Sequence, residues 1–278
     1  VIVGNADNYI TYDRTVDRVE VVKGGTAATM ASNSPAGVIN FVGKTGREEG
    51  GVVVFTTGLD YDSTRMDFAY GAPINDEWSF HVGGFYRQGE GVRETGFNGN
   101  EGGQLKLSLT RDFENGSARV YAKVLDDKTT TYLPMPMEAD GSSISGMDAL
   151  TSSNIPRGLS RVRTGDGGTS VRNSSATDGS RVESTVIGGE FEIEISEDLT
   201  LREKFRLAKN SGKFFGVFTA AIGDATIPDA ISSAFNGQGV DGLAYATGAG
   251  AGTVMSQAQL ANLNGNGLIQ NLRTFDND

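Results

Sequence analysis

Few of the residues that could do chemistry stand where chemistry would need them. Glu190, Glu192 and Glu194 alternate along "EFEIEI", a carboxylate set that suggests metal binding or acid–base work. Alternate residues of one extended strand point the same way but lie too far apart to chelate a single ion. The set therefore reads as a hydrated stripe, or as a partner for basic residues such as Arg14 or Arg18. His81 is the single histidine, which removes a histidine-clustered metal centre. The absence of cysteine removes disulfides and thiolate sites as well. Ser, His and Asp all occur, yet no nucleophile elbow gathers them. "GAGAG" at 248–252 lacks the Lys-Ser/Thr pair and the strand–helix setting of a phosphate cradle. The expectation is no enzyme, with no catalytic residue, cofactor or metal. What remains is a tract of small residues, "GGTAATMASNSPAG" (24–37), with Met30, Ser32 and Asn33 as candidate ligand-binding residues.

Such a tract must be positioned by something, and the rest of the chain supplies strands. The sequence has 278 residues, 39 of them Gly, and a formal charge of −11. Glycine excess without a collagen period points to turns and close backbone approaches. The acidic balance argues against a nucleic-acid partner, because phosphates require a basic face. No run of 18 apolar residues is present, so no transmembrane helix is expected. A barrel strand needs only about 9–11 alternating residues, which hydropathy averages miss. The opening at Val1 in mid-pattern and the ending "NLRTFDND" give the expectation of an internal piece of a longer chain.

After residue 50, period two dominates. In "RMDFAYGAPI" (65–74), Met66, Phe68, Tyr70 and Ala72 share one face and Arg65, Asp67, Ala69 and Gly71 the other. "EWSFHVGGFYRQ", "GGQLKLSLTRDF", "SARVYAKVLDD", "TVIGGEFEIEISED" and "LTLREKFRLAKN" repeat the design, with Leu105, Leu107 and Leu109 opposite Gln104, Lys106 and Ser108. Connections alternate between tight ones ("INDE", "FENG", "SEDL") and long segments near 88–103, 127–181 and 210–268. All the long loops then emerge at one end, as in outer-membrane barrels. "SQAQLANL" (256–263) predicts a short helix capped by Ser256, "SGMDALTS" (145–152) suggests a helical turn, and the tail 210–278 is expected to be poorly anchored.

The stretch "DRVEVVKGGTAATMASNSPAGVINFVGKTG" (17–46) resembles the C-terminal part of the plug domain of TonB-dependent outer-membrane receptors. The resemblance rests on Asp17-Arg18-Val19-Glu20-Val21, Gly24-Gly25, Ser34-Pro35-Ala36-Gly37 and Val38-Ile39-Asn40-Phe41-Val42 followed by Lys44. Gly25 stands where Pro is common, and Ala36 where the first Gly of a Gly-Gly pair is common. Met30 replaces an aromatic frequent in siderophore receptors, which leans away from an anionic siderophore.

The resemblance implies an all-β fold: a partial antiparallel transmembrane β-barrel, about seven strands of a larger one, with the C-terminal part of an N-terminal plug. Residues 1–49 would be plug and 50–278 barrel. It implies active transport of a scarce nutrient, ferric siderophore or carbohydrate, across the outer membrane of a Gram-negative bacterium. The partners implied are TonB with its inner-membrane energising complex, a small-molecule or oligosaccharide ligand, and outer-membrane lipid. Arg65, Asp67, Lys106, Arg119, Lys123, Glu190, Glu192, Glu194, Arg202, Lys204 and Arg206 would then face water or the plug. Charges on the lipid side would cost about 2–4 kcal/mol each for Arg or Lys at midplane. The alternative from another class is a soluble β-rich carbohydrate-binding or adhesin module, which needs Leu105, Leu107 and Leu109 in a closed protein core.

Overall fold

The structure, a computed structural model, describes residues 6–24, 37–132, 135–153, 155, 160–164, 171–234 and 242–277. A short 3₁₀ turn, Ala6–Tyr9, leads into β1 (Val16–Lys23), which pairs antiparallel with β2 (Gly37–Gly43) as a separate two-stranded sheet. Next come β3 (Gly50–Thr57), β4 (Thr64–Pro73), β5 (Trp78–Gly89), β6 (Asn100–Phe113) and β7 (Gly116–Thr129). A hairpin, β8 (Ser160–Thr164) and β9 (Val171–Ser175), lies within the long connection to β10 (Ser180–Ser196). The chain continues through β11 (Leu199–Asp224), α1 (Pro228–Ala234) and α2 (Gln257–Leu260) to β12 (Leu268–Asn277).

One antiparallel sheet of eight strands, ordered β12-β11-β10-β7-β6-β5-β4-β3, makes up the body of the molecule. Every neighbour is sequential apart from the inserted hairpin, so the sheet is a meander and remains open at β3 and β12. The tight turns at 74–77, 114–115 and 197–198 lie at one end and the connections 90–99, 130–179 and 225–267 at the other. The alternation predicts the strands, and the open antiparallel sheet is the all-β, partial-barrel architecture that the resemblance implies.

Two expectations about the chain's later part need correction. The tail 210–278, expected to be poorly anchored, is tied down: β11 runs on through Asn210 to Asp224 and pairs with β12 from Asp224↔Leu268 to Phe214↔Asn277. That adds an eighth strand, and α1 packs against both with Ile231 buried. The stretch 145–152 forms tight turns instead of a helical turn, because the Asp148 carboxylate accepts from the Leu150 and Thr151 amides, each at 2.8 Å. The short helix near 256 is present as α2. Ser256 accepts from the Gln259 amide and Gln259 returns the bond to the Ser256 amide, a complete capping box.

On β6 and along part of β10, polar side chains lie on the covered face of the sheet and apolar ones on the exposed face. Gln104, Ser108 and Thr110 of β6 are buried, while Leu105 and Leu107 are exposed and Leu109 is half-buried. The same holds on β10, where Ser184 is buried and Ile187 exposed. Among the described residues these leucines do not lie in the closed core that the soluble alternative needs. What covers the polar face is the leading segment of the chain.

Candidate functional site

Antiparallel pairing aligns the inward residues of successive strands into rows running across the sheet. The central row is Ala69, Gly83, Lys106, Lys123, Val186 and Ala208. Toward the long loops follow a row through Asp67, Phe85, Gln104, Leu125 and Ser184, then one through Arg65, Arg87, Gly102, Asp127 and Val182. Toward the tight turns lie Gly71, His81, Ser108 and Tyr121, then Ser79, Thr110, Arg119, Glu190 and Lys204.

Residues 8–15 form a strap laid across the central rows. Its carbonyls accept from wall side chains: Tyr9 from Lys123 Nζ at 2.8 Å, Thr11 from Gln104 Nε2 at 3.3 Å and Tyr12 from Arg65 Nη2 at 2.9 Å. Asn8 donates to the Ser180 hydroxyl at 2.9 Å. Asp13 is the strap's one fully covered carboxylate. It takes Gln104 Nε2 at 2.6 Å and Lys106 Nζ at 3.3 Å, and it also accepts from the Thr15 amide at 3.0 Å and the Thr15 hydroxyl. Burial pushes the Asp13 carboxyl up, but Lys106, the Thr15 hydroxyl and amide, and Gln104 together hold it below its ordinary value.

The second contact, residues 43–47, is made by shape. Gly46 takes a φ of +81°, and a methyl group there would lie 1.8 Å from the Phe80 carbonyl oxygen. Only glycine satisfies both the left-handed backbone and the close approach. Gly83 is the matching gap on the wall, since a side chain there would meet the Thr15 methyl group at 2.8 Å. Arg119 then donates to the Gly43 carbonyl at 3.3 Å and the Lys44 carbonyl at 3.0 Å. Ser108 and Ser79 donate to the Lys44 and Thr45 carbonyls. The two contacts are joined by the Lys44 amide, which donates to the Thr15 carbonyl at 2.9 Å.

Two cavities lie along the wall, one beside the strap and one beside the linker at 43–47. One of about 560 Å³, toward the long loops, is lined by Tyr12, Asp13, Arg14, Arg65, Arg87 and Asp127 among others. The other, about 860 Å³, lies toward the tight turns between residues 42–52 and the Arg119, Glu190, Glu192, Arg202 and Lys204 side chains. Arg87 grips Asp127 with two bonds of 2.9 and 2.7 Å, and Arg65 grips Asp67 likewise while its guanidinium lies 4.1 Å from the Phe85 ring centre. Such bidentate forks are rigid walls to the first cavity.

The sequence-based candidates distribute unevenly. Met30, Ser32 and Asn33 lie outside the described residues. Among the described residues the acidic stripe pairs within the sheet and not with Arg14 or Arg18: Glu190 meets Lys204 at 3.2 Å and Arg119 at 3.6 Å, and Glu192 meets Arg202 at 2.8 Å. Arg18 instead pairs with its own neighbours Asp17 and Glu20. These are opposite-charge cross-strand pairs, which answers why the carboxylates alternate. Asp13 was not singled out by the sequence, because its partners Gln104 and Lys106 are remote along the chain.

No protein-family model matches this sequence, and no curated protein matches it. Among solved structures, the chain is similar to the ferric-catecholate import receptor Fiu from E. coli K12 in its open form. The TM-score is 0.55 at 15% identity, over 75% of this chain and 31% of that one. It also matches the siderophore receptor PiuA from Acinetobacter baumannii, with a TM-score of 0.47 at 17% identity, over 72% of this chain and 27% of that one. The chain thus has a TonB-dependent-receptor-like fold, and it spans less than a third of the length of either receptor.

Proposed function

We propose that this chain is the C-terminal part of a plug and the first strands of the barrel in a TonB-dependent outer-membrane transporter. The observation that carries the reading is the inversion of the sheet: polar rows hold the leading segment, while Leu105, Leu107 and Leu207 point away from it into the surroundings. An outward apolar band suits hydrocarbon, and an inward polar wall suits a water-filled lumen closed by a plug. Residues 1–49 serve as plug and 50–278 as barrel. The ligand, a ferric siderophore or a carbohydrate, meets the 24–37 tract with Met30, Ser32 and Asn33, together with the long loops. TonB supplies the energy for release, and no catalysis by this chain is involved. The similarity to an iron-chelate importer supports transport as a class, and Met30 in place of an aromatic still favours a ligand other than an anionic siderophore.

The test is uptake by cells with and without the full-length gene, using ferric catecholates under iron limitation and defined oligosaccharides as carbon source. The reading expects loss of one uptake activity on deletion and its return on complementation. Unchanged uptake of both classes, with the purified protein soluble without detergent, would contradict it.

A further inference from the structure

The face of the sheet turned away from the strap is not apolar from end to end. Through the middle its rows are apolar, as in Phe80, Leu109 and Val120, then Val82, Leu107, Ala122 and Ile187. The next row toward the long loops still carries Leu105 and Val124. Beyond it the same face turns charged. A row through Tyr86, Gly103, Asp126 and Glu183 is followed by one through Glu101, Lys128, Arg181 and Lys213.

Three cations therefore stand side by side on β7, β10 and β11, in a chain whose formal charge is −11. Like charges directly opposite on neighbouring strands are destabilising, and carboxylates offset only part of that here. Lys128 meets Glu101 at 3.4 Å, and Arg181 meets Asp126 at 2.7 Å and Glu183 at 3.5 Å. Lys213 is exposed and has no carboxylate within ion-pair reach among the described residues. Beside this row is a hollow of about 740 Å³. Tyr86, Leu105 and Val124 line it from the rows nearer the middle, and Glu101, Lys128 and Arg181 from the outermost row. Gly103, which has no side chain, leaves the space open between Tyr86 and Asp126.

We propose that this row and the hollow beside it form a docking surface for an anionic lipid, with phosphate groups on Lys128, Arg181 and Lys213 and an acyl chain over Leu105 and Val124. This rests on the transport reading, which sets the long-loop end at the outer leaflet, and adds to it a lipid class and the residues that select it. The occupant follows from the order of the rows. An amphiphile arriving from the membrane lays its chains on the apolar band and brings its head to the row beyond. A zwitterionic head gains little from three cations, whereas phosphate oxygens accept from the guanidinium and from both ammonium groups. Glu101, Asp126 and Glu183 hold the cations against their mutual repulsion while the surface is empty.

The test uses the full-length protein in detergent micelles, each variant first shown folded by heat-modifiable gel migration, with bound lipid counted by native mass spectrometry. The probes are a bisphosphorylated diglucosamine lipid, its monophosphorylated form and phosphatidylcholine, with inorganic phosphate as competitor. The parent is expected to bind the bisphosphorylated lipid most tightly and phosphatidylcholine about tenfold or more weaker. Inorganic phosphate is expected not to displace the lipid. Lys128→Gln with Arg181→Gln and Lys213→Gln is expected to lower the affinity for the bisphosphorylated lipid about tenfold or more. Arg111→Gln removes a cation from the same face at the tight-turn end and is expected to leave that affinity as in the parent. Should the triple variant not fold, Lys213→Gln alone, at an exposed position, decides with an expected loss of about fivefold. Equal binding of phosphatidylcholine, parent-like affinity in the lysine and arginine variants, an equal loss in Arg111→Gln, or displacement by inorganic phosphate overturns the proposal. Gene-deletion uptake is independent of these affinities: lost uptake with parent-like lipid binding in the triple variant would sink the lipid surface and leave the transport reading standing.

Discussion

The strap 8–15 and the linker 43–47 lie on the same wall and are held in opposite ways. The strap depends on charge: one buried carboxylate and two lysines that repel each other without it. The linker depends on fit: a left-handed glycine against the Phe80 carbonyl and a guanidinium spanning two carbonyls. Contacts by shape break only if the backbone moves, whereas a buried ion pair is costly to half-break and gives little when intact. The linker leads directly into β3 and must stay in place.

Substitutions that attack the fit should do the most damage. Gly46→Ala forces a strained backbone and a clash with backbone atoms, and about 3 kcal/mol of destabilisation is expected. It is read as lost folded protein in the membrane fraction and a lowered midpoint of heat-modifiable migration. Arg119→Ala removes the guanidinium from the Gly43 carbonyl and leaves the Lys44 carbonyl with the Ser108 hydroxyl alone, with an expected loss of about 2 kcal/mol. Faster hydrogen exchange confined to residues 43–47 and β3 would check it, and exchange rising equally in the strap would erase the distinction drawn here.

Attacks on charge should be smaller and local. A double-mutant cycle of Asp13→Asn and Lys106→Ala is expected to give a coupling on the order of 1 kcal/mol; additive effects would remove the pair from the account. Since the fold holds the Asp13 carboxyl below its ordinary value, near 4 in an unstructured chain, its contribution is present above that pH. It is lost as pH falls through the folded value. Loosening of the strap in acid, followed by a spin label at Ile10, should therefore vanish in Asp13→Asn while the linker shows no such step. Smallest of all, Arg181→Ala breaks the exposed pair with Asp126, 2.7 Å apart, and is expected to cost about 0.5 kcal/mol or less.

The wall was legible in the sequence because period two survives wherever one face is apolar, as in "QLKLSLT" and "EFEIEI". It failed along 210–224, where "NSGKFFGVFTAAIGD" mixes small and apolar residues without alternation, and β11 nonetheless continues through it. The hairpin β8–β9 was hidden by Ser- and Gly-rich composition that also describes loops. The resemblance of 17–46 includes most of the linker but not the strap, and it does not say how either is held. Asp13 precedes the resembling stretch, and a single carboxylate carries no local signature of partners 91 and 93 residues away.

The central claim is that the leucine side of this sheet meets lipid and the lysine side meets the strap. The direct measurement is electron paramagnetic resonance of the full-length protein in bilayers, with spin labels placed singly from Gln104 to Thr110. Collision with oxygen should peak at Leu105, Leu107 and Leu109 and fall at Gln104, Lys106, Ser108 and Thr110, alternating residue by residue. Oxygen collision without that alternation, or with the two sets exchanged, would contradict the account.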